Sequence, residues 1–510
     1  MRSSLLWIVV AVIILVGPAR LLVRLPSMAG RTASESMPAA AQTDLGRAIL
    51  PAGAEHPGLS GIRPLWEGTS AFAARMVLAR AAQQSIDARY YIWQRDVTGY
   101  LLLAELKAAA ERGVRVRLLV DDNGTGDLDP ELAMLNALPN FEVRVFNPFS
   151  PRWPRFLSYI LDFQRINRRM HNKSFSVDGV ATVVGGRNIG DIYFARDAET
   201  QYSDFDILAT GAVVGAVAAD FDAYWNSDSS YPHELLVTPD AGTADAFDAT
   251  LHEMTAQPDT EAYNVAVASS GLIRDLVAGN LALEWVPVRL LSDDPAKGLG
   301  RQPAGTLLTS ALIPLLGEAR TSIDVISAYF VPGLQGTERL AYAALQGARV
   351  RILTNGLEAT DVLPVLAAYD KYREPLIASG VEIFELKRNA VTEGDGNRLG
   401  LLGSSGASLH AKVFVVDRSA LFVGSFNFDP RSIWLNCEMG FWIESPTLAT
   451  AVSEALDSAT GDLTWQVGLQ DNRLVWAGSD GVFHAQEPGS TAFKRLVINV
   501  LSRLPIEWMM

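Results

Sequence analysis

One pattern occurs twice in this chain, and the repetition limits what the chain can become. It is His-x-Lys-x4-Asp, followed at fixed offsets by two small residues and an asparagine. The first copy is His171, Lys173, Asp178, Gly185, Gly186 and Asn188, and the second is His410, Lys412, Asp417, Gly424, Ser425 and Asn427. A single His-x-Lys arises by chance. Six positions repeated in register imply a duplicated unit.

The surroundings repeat as well. Ser85-Ile86-Asp87 opens a strand-like run through Trp93, and Ser322-Ile323-Asp324 opens another through Val331. Each is followed by a helical pattern, with Leu102, Leu106 and Ala109 on one face of the first and Leu340 and Ala344 on one face of the second. Gly113 and Gly347 stand where C-terminal caps belong. Then come Arg-Val-Arg runs at 115–117 and 349–351, shorter apolar runs at 141–146 and 381–386, and the His-Lys-Asp segments. Strand, helix, strand and a further strand make an α/β fold with a mostly parallel sheet in each half. The expected organisation is an apolar N-terminal helix over residues 1–25, a linker over 26–58, one half over 59–233, a less regular connection over 234–279 and the other half over 280–510. The two halves are expected to pack face to face around one site.

At 510 residues the chain has room for such a pair of domains. Its net charge of -14 argues against a general nucleic-acid binder, which needs a basic surface to replace counterions. The single cysteine, Cys437, rules out an internal disulfide and a cysteine zinc cluster. Residues 5–16 form an unbroken apolar run, shorter than the about 20 residues of a spanning helix unless Arg20 snorkels. A retained anchor, a cleaved signal and an interfacial segment all fit it.

The chemistry follows from the repeat. Alternation along a strand places His171 with Lys173, and His410 with Lys412, on shared faces. Two imidazoles at one phosphorus let one attack while the other protonates the leaving group. The lysines, with Asn188 and Asn427, would stabilise charge on the non-bridging oxygens. Gly186 and Ser425 leave room for backbone N–H groups. Asp204 and Glu438 are the candidates to orient the histidines. Asp178 and Asp417 belong to the motif, but their odd offset turns them away from the histidines and reads as structural, binding turn amides. His56, His233, His252 and His484 lack such context. This scheme uses no metal or cofactor.

At these residues the chain resembles the phospholipase D superfamily, whose two motifs meet at one active site. Gly424-Ser-Phe-Asn-Phe-Asp-Pro-Arg-Ser432 with Leu435-Asn-Cys-Glu438 resembles the bacterial cardiolipin synthase branch. Asn167-Arg-Arg-Met-His-Asn-Lys173, Gly185-Gly-Arg-Asn-Ile-Gly-Asp191 and Arg503-Leu-Pro-Ile-Glu-Trp508 are closer to its C-type members. Gly186 departs from the usual serine. The resemblance implies phosphatidyl transfer through a phosphohistidine, with His171 as nucleophile and His410 as acid and then base. Phosphatidylglycerol would be the acceptor, and phosphatidylglycerol or phosphatidylethanolamine the donor. A phospholipase releasing phosphatidic acid is the alternative. The expected location is the bacterial inner membrane, N-terminally anchored or peripheral, with an accessory protein left open.

Residues 151–173 carry six basic side chains against one acid, Asp162, with aromatic and apolar residues between them. This composition suits an anionic membrane interface. Arg165, Arg168 and Arg169 are its candidate lipid contacts, next to His171.

Overall fold

The computed structural model describes residues 24–196, 201–240, 242–277, 281–360, 362–387, 408–504 and 507. The expected N-terminal helix lies almost wholly outside them. Among the described residues no helix is long and apolar enough to cross a membrane.

Each half is built on a large sheet with helices packed against it, and the two central arrangements match strand for strand. In the first, the order is Ala181–Gly185, Ser174–Val177, Ser85–Ile92, Arg115–Gly124 and Phe141–Phe146. In the second it is Ala420–Gly424, Lys412–Val416, Ser322–Ser327, Arg349–Asn355 and Glu382–Leu386. The last three strands of each set run parallel, as the strand–helix–strand pattern requires. The remaining pairings are antiparallel, so the sheets are mixed and not mostly parallel. The reason is local: each motif strand turns straight back through a tight connection at Asp178 or Asp417, and short returns give antiparallel neighbours.

The repeated sequence signals explain the parallel core. Asp87 lies directly across from Arg117, and Asp324 across from Arg351. Each pair is buried and bidentate, at 2.7 and 2.8 Å in the first half and 2.6 and 2.8 Å in the second. The second arginine of each run, Arg117 and Arg351, therefore points inward to a carboxylate, whereas Arg349 is half exposed beside Glu382.

Both expected connecting segments carry defined structure. Residues 26–58 are not a free linker. Arg31 donates to the carbonyls of Asn226, Ser227 and Ser230, Ser36 bonds Asp222, and Asp44–Glu55 is a helix capped by Thr43. Among its described residues the 234–279 connection holds three α-helices, Thr243–Thr255, Pro258–Ala268 and Gly271–Val277, of which the first buries Phe247 and the second Tyr263 in the first half's core. The chain changes sheets at Pro287: Glu284–Val286 joins the first sheet and Val288–Ser292 the second. One apolar cluster collects Val184, Phe205 and Ile207 from the first half with Val413, Val423, Met439 and Phe441 from the second. The halves thus share a core.

Candidate active site

Both motif histidines stand at the seam between the halves, each held by the opposite half. The His171 N–H donates to the carbonyl of Cys437 at 2.8 Å, and the His410 N–H donates to that of Ser203 at 2.8 Å. The next residues along those strands are Glu438 and Asp204. Glu438 Oε2 lies 2.8 Å from His171 Nδ1, and Asp204 Oδ2 lies 2.5 Å from His410 Nδ1. The orienting carboxylates are crossed: the first half's histidine uses the second half's acid, and the reverse. A short parallel pairing of Ser408–Leu409 with Tyr202–Ser203 helps to fix this exchange.

The hydrogen bonds define the proton on His171. Its Nδ1 faces both Glu438 Oε2 and the Ser425 carbonyl, 3.1 Å away. A carbonyl only accepts, so Nδ1 carries the hydrogen and Nε2 keeps its lone pair. Burial, with the charges of Lys173, Lys412 and His410, pushes His171 well below the usual histidine range. Burial pushes Glu438 up to about 7. His410 is lowered to about 4 by burial and the Lys412 charge, with Asp204 opposing. Asp204 is held below the usual carboxylate range despite burial, because His410, Lys412 and Arg187 favour its charged form. The mutual electrostatic influence of His171, His410 and both lysines belongs to one site.

Lys173 Nζ donates to the His171 carbonyl at 2.5 Å and is lowered well below its usual range, chiefly by burial. Lys412 Nζ lies 3.2 Å from His410 Nδ1 and donates to the His410 carbonyl. Asn427 Oδ1 is buried with no hydrogen-bond partner among the described residues. Asn188 differs: its Oδ1 accepts the Ile92 N–H at 3.2 Å, and its Nδ2 donates to the Tyr193 hydroxyl at 3.0 Å. Asn188 therefore presents Tyr193 to the site.

Three tyrosines went unnoticed in the sequence. Tyr91 meets the His171 ring edge-on at 5.0 Å, Tyr193 meets His410 edge-on at 5.3 Å, and Tyr202 lies over His410 at 5.0 Å. Asn123 and Asn188 donate to the Tyr91 and Tyr193 hydroxyls, which leaves both phenolic protons available for a ligand. Only their nearness to the repeated landmarks, Tyr91 in the first strand run and Tyr193 just after Asn188, could have pointed to them.

The two half-sites are unequal where the repeat departs. Ser425 Oγ donates to Glu438 Oε2 at 2.5 Å. A Cβ on Gly186 would sit 2.1 Å from Asp204 Oδ1, so the first half needs glycine for its acid to approach. The motif aspartates do not reach the site. Asp178 accepts the N–H groups of Gln83, Gln84 and Ser85, and Asp417 those of Arg320, Thr321 and Ser322. Both occupy left-handed turns, at φ 54° and 51°. Among the arginines, Arg169 is fully buried against Asp121 and Arg165 is paired with Asp162, so neither is free for lipid. Arg168 donates to the Trp434 carbonyl at 3.3 Å, across the seam.

The family profile described as "Cardiolipin synthase, PLD-like domain" matches residues 77–225 and 312–459. The chain belongs to this phospholipase D-like family of cardiolipin synthases, and so is a phosphatidyltransferase by class. It is 46% identical to cardiolipin synthase C of Escherichia coli K12 over 91% of this chain and 99% of that one. It is 28% identical to a cardiolipin synthase of Geobacillus kaustophilus over 74% of this chain and 62% of that one. Among solved structures, phosphatidylserine synthase of Haemophilus influenzae superposes with a TM-score of 0.58 at 15% identity, covering 90% of this chain and 99% of that one. That likeness concerns the fold.

Proposed function

We propose that this enzyme makes cardiolipin by phosphatidyl transfer, with His171 as the nucleophile. His171 Nε2 attacks the phosphorus of a donor phospholipid. The bond to the headgroup alcohol breaks, and His410 gives that alkoxide its proton. A hydroxyl of phosphatidylglycerol then attacks the phosphohistidine and passes its proton to His410. The P–N bond breaks and His171 is restored. Phosphatidylglycerol is the acceptor, and either phosphatidylglycerol or phosphatidylethanolamine serves as donor. The lysines and Asn427 stabilise charge on the non-bridging oxygens.

One observation carries the assignment: the Nδ1 atoms of the two rings face different groups. His410 Nδ1 faces the Asp204 carboxylate, which favours its imidazolium against the lowering by burial and Lys412 and so supports a general acid there. His171 is neutral with its lone pair on Nε2. Burial of both rings favours an alcohol acceptor over bulk water and speaks against the phospholipase reading. Exposed Trp153, Phe156 and Ile160 beside the seam suit a lipid entrance at the bacterial inner membrane.

Defined phosphatidylglycerol and phosphatidylethanolamine mixtures, with products weighed by mass spectrometry, distinguish cardiolipin from phosphatidic acid. The histidine roles separate with a phosphatidyl ester of p-nitrophenol, a leaving group that needs no proton. His410→Asn releases nitrophenol from it and His171→Asn does not. The opposite result reverses the roles.

A further inference from the structure

The Ala492–Leu501 helix has one feature that the reaction does not explain. Its inner side buries Ile498 in the second half's core, and its outer side carries a second apolar row. Phe493 is 74% exposed, Leu496 61%, Val500 54% and, just beyond the helix, Leu504 47%. Their spacing of three or four residues puts them on one ridge. Such a ridge in water marks an interaction surface.

Charge and position identify what it meets. Residues 488–506 contain Lys494, Arg495 and Arg503 and no acid, within a chain of net charge -14. Lys494 donates to the Gly489 carbonyl, and Arg495 to Gln486 and Ser490, all neutral groups. One end of the segment rests on a loop at the catalytic edge of the second sheet, and the other on the Leu363–Ala378 helix beside a second such loop. Gly489 packs on Glu358, just past the strand whose Asn355 bonds the Leu409 carbonyl beside His410. Glu507 bonds Lys371 and Tyr372 and faces Gly333, just past the Phe330–Phe428 bridge that follows Asn427.

We propose that the outer face of this helix is a docking surface for an anionic bilayer, its apolar ridge in the acyl boundary and its cations among the headgroups. It seats the catalytic edge of the second half on the membrane that supplies the lipid, and it rests on the phospholipid reading of the site.

The apolar run at residues 5–16 could hold the chain to any vesicle, so the test must be local. Cys437, the only thiol, is buried, so one added cysteine labels uniquely. In the full chain, a polarity-sensitive dye at Leu496→Cys is expected to shift blue and to be quenched by brominated lipid on phosphatidylcholine vesicles containing phosphatidylglycerol. A dye at Asp248→Cys should stay in water. The triple variant Phe493→Ser, Leu496→Ser, Val500→Ser should raise KM for vesicle-borne substrate about tenfold or more at unchanged kcat. Its activity on monodisperse short-chain lipid should equal that of the wild type.

A silent dye at 496 overturns the proposal, as does an unchanged KM in the triple variant. A concentration-dependent dye shift without vesicles also overturns it, because the occupant is then a second copy. Docking without cardiolipin formation refutes the transfer reading and leaves this surface standing.

Discussion

His171 and Glu438 share a proton problem that fixes how the reaction depends on pH. Above about 7 the Glu438 carboxylate is ionised and holds the Nδ1 hydrogen of His171. Below that value it is protonated and no longer offsets the positive charge that builds on His171 as Nε2 attacks. Phosphohistidine formation, followed by rapid quench, should therefore rise with pH through about 7, and Glu438→Gln should lose that step. Stability runs the other way. A carboxyl raised from 4.5 to about 7 favours the folded state below the lower value, and the contribution disappears as pH rises through the higher one. Tyr193→Phe removes a hydroxyl whose acceptor role is filled by Asn188, and so deletes a donor. It should lower kcat by about a hundredfold with little change in KM. Sequence alone made the histidines and lysines legible because the motif recurs. It hid the tyrosines, and it hid the crossing of the acids, because the partner of each ring comes from more than 200 positions away.

At the level of strands and turns, the buried pairs Asp87–Arg117 and Asp324–Arg351 are twin supports of the parallel cores. Removing Asp324 leaves the buried Arg351 with only the more exposed Asp457 as a charged partner. Asp324→Ala should cost about 3–5 kcal/mol in urea unfolding, while joint replacement of Asp324 and Arg351 by apolar residues of similar size should cost much less. The order of these strands was readable, since helix-period and strand-period runs alternate with glycine caps between them. The antiparallel flanks were not, because a tight turn leaves only Asp178 or Asp417 as its trace. Residues 26–58 also misled: a Pro-, Ala-, Ser- and Gly-rich composition suggests a linker, yet Ser36 bonds Asp222 and Arg31 bonds the carbonyls of Asn226 and Ser227.

The whole molecule is joined more tightly than its repeat suggests. Phe441 lies in the apolar cluster shared by both halves. Phe441→Ala should destabilise by about 3–5 kcal/mol. Hydrogen exchange should then speed up in the strands of both halves together; acceleration confined to the second half would refute a common core. That the chain holds two related halves was plain from the duplicated landmarks, whereas their shared interior depends on contacts that no local pattern encodes. The exchange of acids across the seam has an evolutionary result. Duplication ordinarily leaves a spare copy free to drift, but here neither repeat can accumulate damage behind the other, so the pair is inherited as a single indivisible unit.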